Sequence, residues 1–70
     1  MNTPLHVRVN GEPCDVARDT TVRALLLSMG ALRDGVAVAL NDEIVLRSAW
    51  DDVALRDDDS VEVLSAAPGG

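Results

Sequence analysis

The stretch from residue 5 to residue 16, LHVRVNGEPCDV, constrains the fold more than any other part of this chain. Apolar and polar residues alternate up to Val9, which is the pattern of a β-strand with one buried face. Asn10 and Gly11 follow, and both residue types tolerate the positive φ angles of a type I′ turn. The sequence therefore predicts an antiparallel hairpin at the start of the fold.

The register of this hairpin follows from the turn. A two-residue loop pairs Val7 with Cys14 and Leu5 with Val16, so that all four side chains share one face. Hydrophobic pattern and turn chemistry therefore agree on the same pairing. Pro13 lacks a backbone N–H and is tolerated mainly at the edge of a sheet, so we expect the second strand to be an edge strand.

A short amphipathic helix is predicted in the stretch DTTVRALLLSMG, residues 19–30. Four apolar residues there follow the i, i+3, i+4, i+7 spacing of one helix face: Val22, Leu25, Leu26 and Met29. Asp19 or Thr20 is the expected N-cap, and Gly30 is the expected stop.

A second strand pair is predicted after the helix. Residues 36–40, VAVAL, form an almost continuous apolar run, which favours a strand with neighbours on both sides. Asn41 and Asp42 are expected to form the turn, and EIVL to return. Ser48 is the expected cap of a short turn that leads through Trp50.

The last strand is predicted in SVEVLSA, residues 60–66, where the alternation returns. Val61 and Val63 fall on one face, and Glu62 and Leu64 on the other. The acidic stretch before it, DDDS, lacks the ligand spacing of a calcium loop and is expected to be a solvated turn.

This order of elements indicates an α+β fold with one helix on one face of a mixed sheet of four or five strands. The first and last strands are parallel if they lie side by side at the centre. The arrangement resembles the β-grasp fold of ubiquitin-like proteins. We expect residues 1–66 to form this domain and residues 67–70 to form a flexible C-terminal tail.

Composition excludes several classes of function. Twelve acidic residues against six basic ones give a net charge of −6, which argues against nucleic-acid binding and suits docking on a basic partner surface. Cys14 and His6 are the single cysteine and the single histidine, so neither a disulfide nor a zinc site is expected. Neither a signal peptide nor a membrane span is recognisable, so we expect a cytoplasmic protein. We also expect it to be monomeric when free.

The end of the chain offers one reactive group. Pro68 precedes Gly69 and Gly70, and glycines without side chains let a backbone enter a narrow channel. The terminal carboxyl has an ordinary pKa of about 3.3–3.7, so it is an anion and a poor electrophile at neutral pH. A partner would have to activate it, for example as an acyl-adenylate. Glycines at a frayed, inactive end are the alternative.

The second half of the chain resembles the ThiS family of sulfur carriers. Members commonly carry an asparagine, a V-P-R-x-x-W segment, an L-x-D-G-D-x-V-E segment and a terminal Gly-Gly. The matching positions here are Asn41, Val45, Arg47, Trp50, Leu55, Asp57, Asp59, Glu62, Gly69 and Gly70. VNGEP at residues 9–13 and TVRALLLSMG at residues 21–30 resemble the family's first hairpin and helix. Leu46 and Asp58 depart from the usual proline and glycine, which puts the local turn geometry in question.

The resemblance implies a carrier rather than an enzyme. A ThiF-like adenylyltransferase would adenylate the Gly70 carboxylate with ATP and magnesium, and sulfur derived from cysteine would then replace AMP. The resulting thiocarboxylate would deliver sulfur to a ThiG-like thiazole synthase for thiamine biosynthesis. The carrier itself would bind no cofactor and no metal.

Side-chain alternation predicts a docking surface beside the tail. Arg8, Glu62 and Leu64 are expected on the sheet face opposite the helix, and an exposed leucine at this place favours a partner contact. Trp50 is expected to close the end of the core, and the role of Arg47 stays open.

Two other functions remain open at this point. One is a β-grasp sulfur carrier for another pathway, such as molybdopterin, cysteine or natural-product biosynthesis. The other is a ubiquitin-like modifier or a simple interaction module.

Overall fold

Two hairpins, one helix and a closing strand follow one another along residues 3–65, the part of the chain that this computed structural model describes. A 3₁₀ helix, Arg47–Ala49, lies between the second hairpin and the closing strand. The elements are β1 (Leu5–Val9), β2 (Glu12–Val16), α1 (Val22–Ser28), β3 (Val36–Leu40), β4 (Glu43–Val45) and β5 (Ser60–Ser65).

The strands form one mixed sheet of five in the order β2-β1-β5-β3-β4. β1 and β5 pair in parallel at the centre, and the other three pairings are antiparallel. The mixed five-stranded sheet with one helix confirms the predicted fold class, and the first and last strands do lie side by side in parallel. The last strand of the fold therefore lies in the middle of the sheet, with neighbours on both sides.

Both hairpins turn through left-handed residues. Asn10 and Gly11 have φ angles of 53° and 84°, and Asn41 and Asp42 have φ angles of 51° and 71°. Two successive positive φ angles define the type I′ turn, whose twist matches that of the flanking strands. The predicted pairing of Val7 with Cys14 is confirmed, and β2 with its Pro13 lies at the sheet edge as predicted.

The helix begins one residue later than the predicted caps allow. Thr21 is the N-cap, and its side-chain oxygen accepts a hydrogen bond from the Ala24 N–H at 3.1 Å. Thr20 instead donates its hydroxyl proton to the Ala17 carbonyl at 2.6 Å, and Asp19 adopts a left-handed φ of 69°. The predicted caps were therefore wrong, because a run of three capping residues does not show which one takes that place.

The apolar stripe of the helix is shorter than its spacing suggested. Val22, Leu25 and Leu26 are buried, but Met29 lies beyond the last helical residue and is 43% exposed. Gly30 follows with a φ of 71°, which fits the predicted helix stop.

The core lies between α1 and the inner face of the sheet and is almost entirely aliphatic. Its buried members are Leu5, Val7, Val22, Leu25, Leu26, Val36, Val38, Trp50, Leu55 and Val61. Trp50 belongs to this core, as predicted, and its indole N–H donates to the Val45 carbonyl at 2.9 Å. Cys14 is half-buried and packs against the same cluster.

The backbone angles of Leu46 and Asp58 explain two departures from the family pattern, and the cap of the 3₁₀ helix differs from the prediction. Leu46, not Ser48, precedes the helical turn, and its φ of −64° is the value that proline imposes. Asp58 has a φ of 69°, a left-handed angle that glycine adopts easily and that aspartate tolerates. Leucine and aspartate thus keep backbone conformations to which the usual proline and glycine are suited.

Candidate functional site

The predicted reactive group, the carboxylate of Gly70, lies outside the described residues, as do Pro68 and Gly69. The described part of the chain ends with β5. Ser65 is the last residue of β5 and pairs with Val36 of β3, so the tail leaves from the end of a central strand. Pairing with β3 continues to Ser65 and gives the five following residues a fixed origin.

The predicted docking residues lie on the sheet face opposite the helix, which we call the open face. Leu64 is 63% exposed, and Glu62 is exposed two residues before it. Arg8 is also exposed on β1, but its register partner is Ser60. The structure therefore groups Glu62 and Leu64, whereas Arg8 lies beside the start of β5, away from the tail.

Apolar residues extend the surface around Leu64 towards β3 and β4, on the side of β5 opposite β1. Ala37 of β3 is exposed and pairs with Leu64, and Ile44 of β4 pairs with Ala39 on the next row. Ile44 and Leu46 are each 68% exposed. We call Ala37, Ile44, Leu46 and Leu64 the open-face patch. A contiguous exposed apolar surface is typical of a binding site rather than of a solvated sheet.

Sequence reasoning missed the β4 part of this patch. The signal was present in EIVL, where Ile44 and Leu46 alternate with Val45. Because Val45 packs against the core, its two neighbours must point away from it. From the sequence alone, this short segment predicts only the return of a hairpin, and the strand pairing shows that it has a second, exposed apolar face.

The β1–β2 half of the open face is polar. His6 Nδ1 lies 2.7 Å from Asp15 Oδ1, and both side chains are exposed. This hydrogen bond and then the charge of Asp15 raise the pKa of His6 above its ordinary value of 6.5, with smaller contributions from Asp57 and Asp58. Within residues 3–65, neither Ser nor Cys shares a hydrogen bond with the His6 ring.

A buried carboxylate fixes the start of β5. Asp59 is 8% exposed; its side chain accepts hydrogen bonds from Asn41 Nδ2 at 2.9 Å and from the Arg56 N–H at 2.7 Å. Asn41 in turn accepts from the Ser60 N–H at 2.9 Å. The predicted solvated turn is thus anchored at Asp59. A run of three aspartates gives no sequence signal for which one is buried.

Arg47 supports the core from outside. Its guanidinium lies 4.7 Å from the centroid of the Trp50 ring, and it donates to the Arg33 carbonyl at 2.6 Å. The two contacts join the loop before β3 to the 3₁₀ helix. This side chain therefore has a structural role.

Within residues 3–65, no group of three or more His, Cys, Asp or Glu side chains is placed to hold a metal ion. The same part of the chain contains no helix with the length and apolar character needed to cross a membrane.

Comparison with known proteins places the chain in context. The model of the ThiS family matches residues 7–70, so the matched region includes the terminal Gly-Gly. The sulfur carrier protein ThiS of Thermus thermophilus is 42% identical over 64 residues, which span 91% of this chain and 98% of that protein. The crystal structure of a thiamine biosynthesis protein (ThiS) from Geobacter metallireducens superimposes with a TM-score of 0.80 at 35% identity, covering 94% of this chain and all of that one.

Two further relatives are longer proteins. The thiazole synthases of Magnetococcus marinus and Paramagnetospirillum magneticum are 35% and 39% identical to this chain over 66 and 62 residues. The chain spans about a fifth of the length of each of them, 20% and 19%.

Proposed function

The chain belongs to the ThiS family, and on this premise we propose that its Gly70 carboxylate is adenylated, converted to a thiocarboxylate and used as the sulfur source for the thiazole of thiamine. The observation that carries the proposal is the extent of the family match, which runs to the last glycine. The Thermus relative, named a sulfur carrier protein, has almost the same length. The β-grasp fold supplies the scaffold for the tail.

The chemistry follows from the state of the terminal carboxyl. As an anion at neutral pH it resists nucleophilic attack, so an activating enzyme must first convert it into a mixed anhydride. A carboxylate oxygen attacks the α-phosphorus of ATP, and pyrophosphate leaves. The sulfur of an enzyme persulfide then attacks the Gly70 carbonyl carbon and AMP leaves. A thiol reductively cleaves the resulting acyl disulfide and so releases the thiocarboxylate.

Magnesium and ATP belong to the ThiF-like activating enzyme in this scheme, and the carrier binds no cofactor. Its own contribution is to present the tail and to dock. Leu64 and Glu62 flank the root of the tail, and the open-face patch gives an apolar contact surface next to it. Arg8 contributes at the far end of the same face. Net charge of −6 favours a partner with a basic surface and accelerates encounter.

Thiazole synthase is the proposed acceptor of the sulfur. Support comes from the two relatives named thiazole synthase, in each of which a fifth of the chain resembles this protein. A carrier-like segment within the same polypeptide as the synthase favours a functional association between the two.

The proposal is tested by intact-mass measurement. The chain is incubated with its activating enzyme, ATP, magnesium and a cysteine-derived sulfur source, and we expect a gain equal to one sulfur less one oxygen at the C-terminus. A variant that lacks Gly70 is the matched control, because it keeps the whole described fold and should gain no sulfur. If the full chain keeps its mass while the activating enzyme is active on a known carrier, the proposal is wrong.

A second experiment separates thiamine biosynthesis from other sulfur-transfer pathways, since the thiocarboxylate is common to them. We expect the gene to restore growth without thiamine to a strain whose own carrier gene is deleted, and the variant lacking Gly70 to fail. Growth restored only in a strain deficient in molybdopterin would assign the carrier to that pathway instead.

A further inference from the structure

The central strand β5 is longer than the strand beside it. β1 pairs with β5 only at Arg8–Ser60 and Val9–Val61, after which the chain turns away at Asn10. β5 continues to Ser65, and on its other side β3 accompanies it to the end. The last part of β5 therefore has a strand neighbour on one side only.

Hydrogen bonds show where the pairing stops. Alternate residues from Asp59, which directly precedes β5, bond towards β1. The Asp59 carbonyl accepts from the Arg8 N–H at 2.9 Å, and the Val61 carbonyl accepts from the Asn10 N–H at 2.8 Å. The Val63 N–H then donates to the side-chain oxygen of Asn10 at 2.8 Å. A side chain thus takes the place of a strand for one last hydrogen bond.

Two backbone groups follow on the same side. By the alternation of a strand, the Val63 carbonyl and the Ser65 N–H point in the direction of the departed β1. Neither has a hydrogen-bond partner within residues 3–65. We call these two groups the half-edge. Unpaired backbone groups at a sheet edge are a template for an added strand.

We propose that the half-edge binds an extended segment of thiazole synthase as an additional strand, with a carbonyl of the segment accepting from Ser65 and an N–H donating to Val63. The proposal rests on the proposed function, since it names a contact with the enzyme that would receive the sulfur. In this contact, backbone hydrogen bonds to the synthase supplement the side-chain contacts of the open-face patch.

The length of the tail supports this occupant. Five residues follow Ser65 and reach at most about 16–18 Å when fully extended. The reacting centre of the enzyme would therefore lie within this distance of the end of β5, which brings the enzyme surface to the end of the sheet that carries the half-edge. An added strand at this point also aims the tail, because it restrains β5 from both sides where the tail leaves.

The surroundings define the chemistry of the segment. Glu62 on β5 is exposed and directly precedes Val63 of the half-edge, so a basic side chain on the segment would find an opposite charge. Leu64 of the open-face patch lies between the two half-edge residues, which makes the apolar contact and the strand contact continuous. The outer sheet edges fit less well: β2 carries Pro13, which cannot donate, and β4 has three residues.

Amide hydrogen exchange of the full chain, followed by NMR with and without the thiazole synthase of the same organism, tests the proposal. We expect the Ser65 N–H to exchange rapidly in the free chain and at least tenfold more slowly in the complex, because a new hydrogen bond protects it. The Val63 N–H, already bonded to Asn10, is the internal reference and should be protected in both states.

A substitution pair supplies the second measurement. Ser65→Pro removes the N–H that faces the half-edge and leaves the groups that face β3 in place, whereas Ser65→Ala removes the hydroxyl and keeps the N–H. We expect Ser65→Pro to bind thiazole synthase roughly two- to tenfold more weakly than Ser65→Ala, as the loss of one backbone hydrogen bond predicts. Far-UV circular dichroism and urea unfolding of both variants show whether the fold is kept.

The outcomes separate this inference from the proposed function. If the synthase binds and shifts the signals of Leu64 while Ser65 exchange is unchanged, the added strand is refuted and the carrier function stands. If the chain does not bind the synthase at all, both the added strand and the proposed sulfur acceptor are refuted.

Discussion

The two faces of the sheet use the same kinds of residue for different ends. On the inner face, Val38 and Val61 are completely buried under α1, and the side chains around them are aliphatic. On the open face, Leu64 and Ile44 are exposed to solvent. Leu64 lies on β5, the strand that also carries Val61, and Ile44 lies on the edge strand β4. Aliphatic side chains thus stabilise the fold on the inner face, and similar side chains on the open face remain exposed for contact with a partner.

The largest difference in stability between the two faces is expected for a matched pair of leucine substitutions. Leu26→Ala removes a fully buried side chain of α1 and should lower the free energy of unfolding by about 2–5 kcal/mol. Leu64→Ala deletes the same atoms from the open face and should change it by less than about 0.5 kcal/mol. Urea unfolding of both variants measures the effect. Similar losses for the two would mean that the open face is packed in the free protein.

A substitution at Asn10 tests the boundary between the part of β5 that pairs with β1 and the part that does not. Asn10→Gly keeps the left-handed turn, since glycine readily adopts a φ of 53°, but removes the oxygen that accepts from the Val63 N–H. We expect a loss of about 0.5–1.5 kcal/mol in urea unfolding and faster amide exchange at Val63.

Asp42→Gly is the control for this change, because Asp42 is also a left-handed residue of a hairpin turn, with a φ of 71° at the second position of the Asn41–Asp42 turn. Its loss should be clearly smaller than that of Asn10→Gly. Equal losses would assign the effect to the extra backbone freedom of glycine and not to the hydrogen bond.

The smallest effect is expected on the polar half of the open face. The pKa of His6 is raised by Asp15, so the ion pair stabilises the folded state fully below about 6.5, the pKa of an unfolded histidine, and this contribution is lost as pH rises through the raised value. An NMR titration of the only histidine should give a pKa above 6.5 in the parent chain and a lower one in Asp15→Asn. Asp19→Asn should leave the pKa of His6 unchanged, because Asp19 is not among the groups that raise it.

Much of the fold was predictable because local signals and global packing agree. The alternation up to Val9 and the Asn10–Gly11 turn specify one register, and the structure has that register. The same holds for β5, where Val61 is buried and Leu64 exposed as the alternation predicts. Patterns with a period of two determine a face without knowledge of the neighbours.

Details that depend on tertiary contacts were not predictable. Three adjacent residues can cap a helix, and the choice of Thr21 follows from how the chain is held at this point: its neighbour Val22 donates to the Val53 carbonyl at 2.9 Å. Burial of Asp59 depends on Asn41, 18 residues away in the sequence. The open-face patch combines β3, β4 and β5, so it becomes visible only when the strand order is known.

The single aromatic residue gives the protein a built-in optical probe. Trp50 is the only Trp, and the chain has neither Tyr nor Phe, so ultraviolet fluorescence comes from one indole. That indole is 3% exposed in the core, away from the open face. Its emission should shift when the core opens and stay constant when an enzyme occupies the opposite side of the sheet. Light emitted by one residue can thus distinguish loss of structure from encounter with a partner, without any added label.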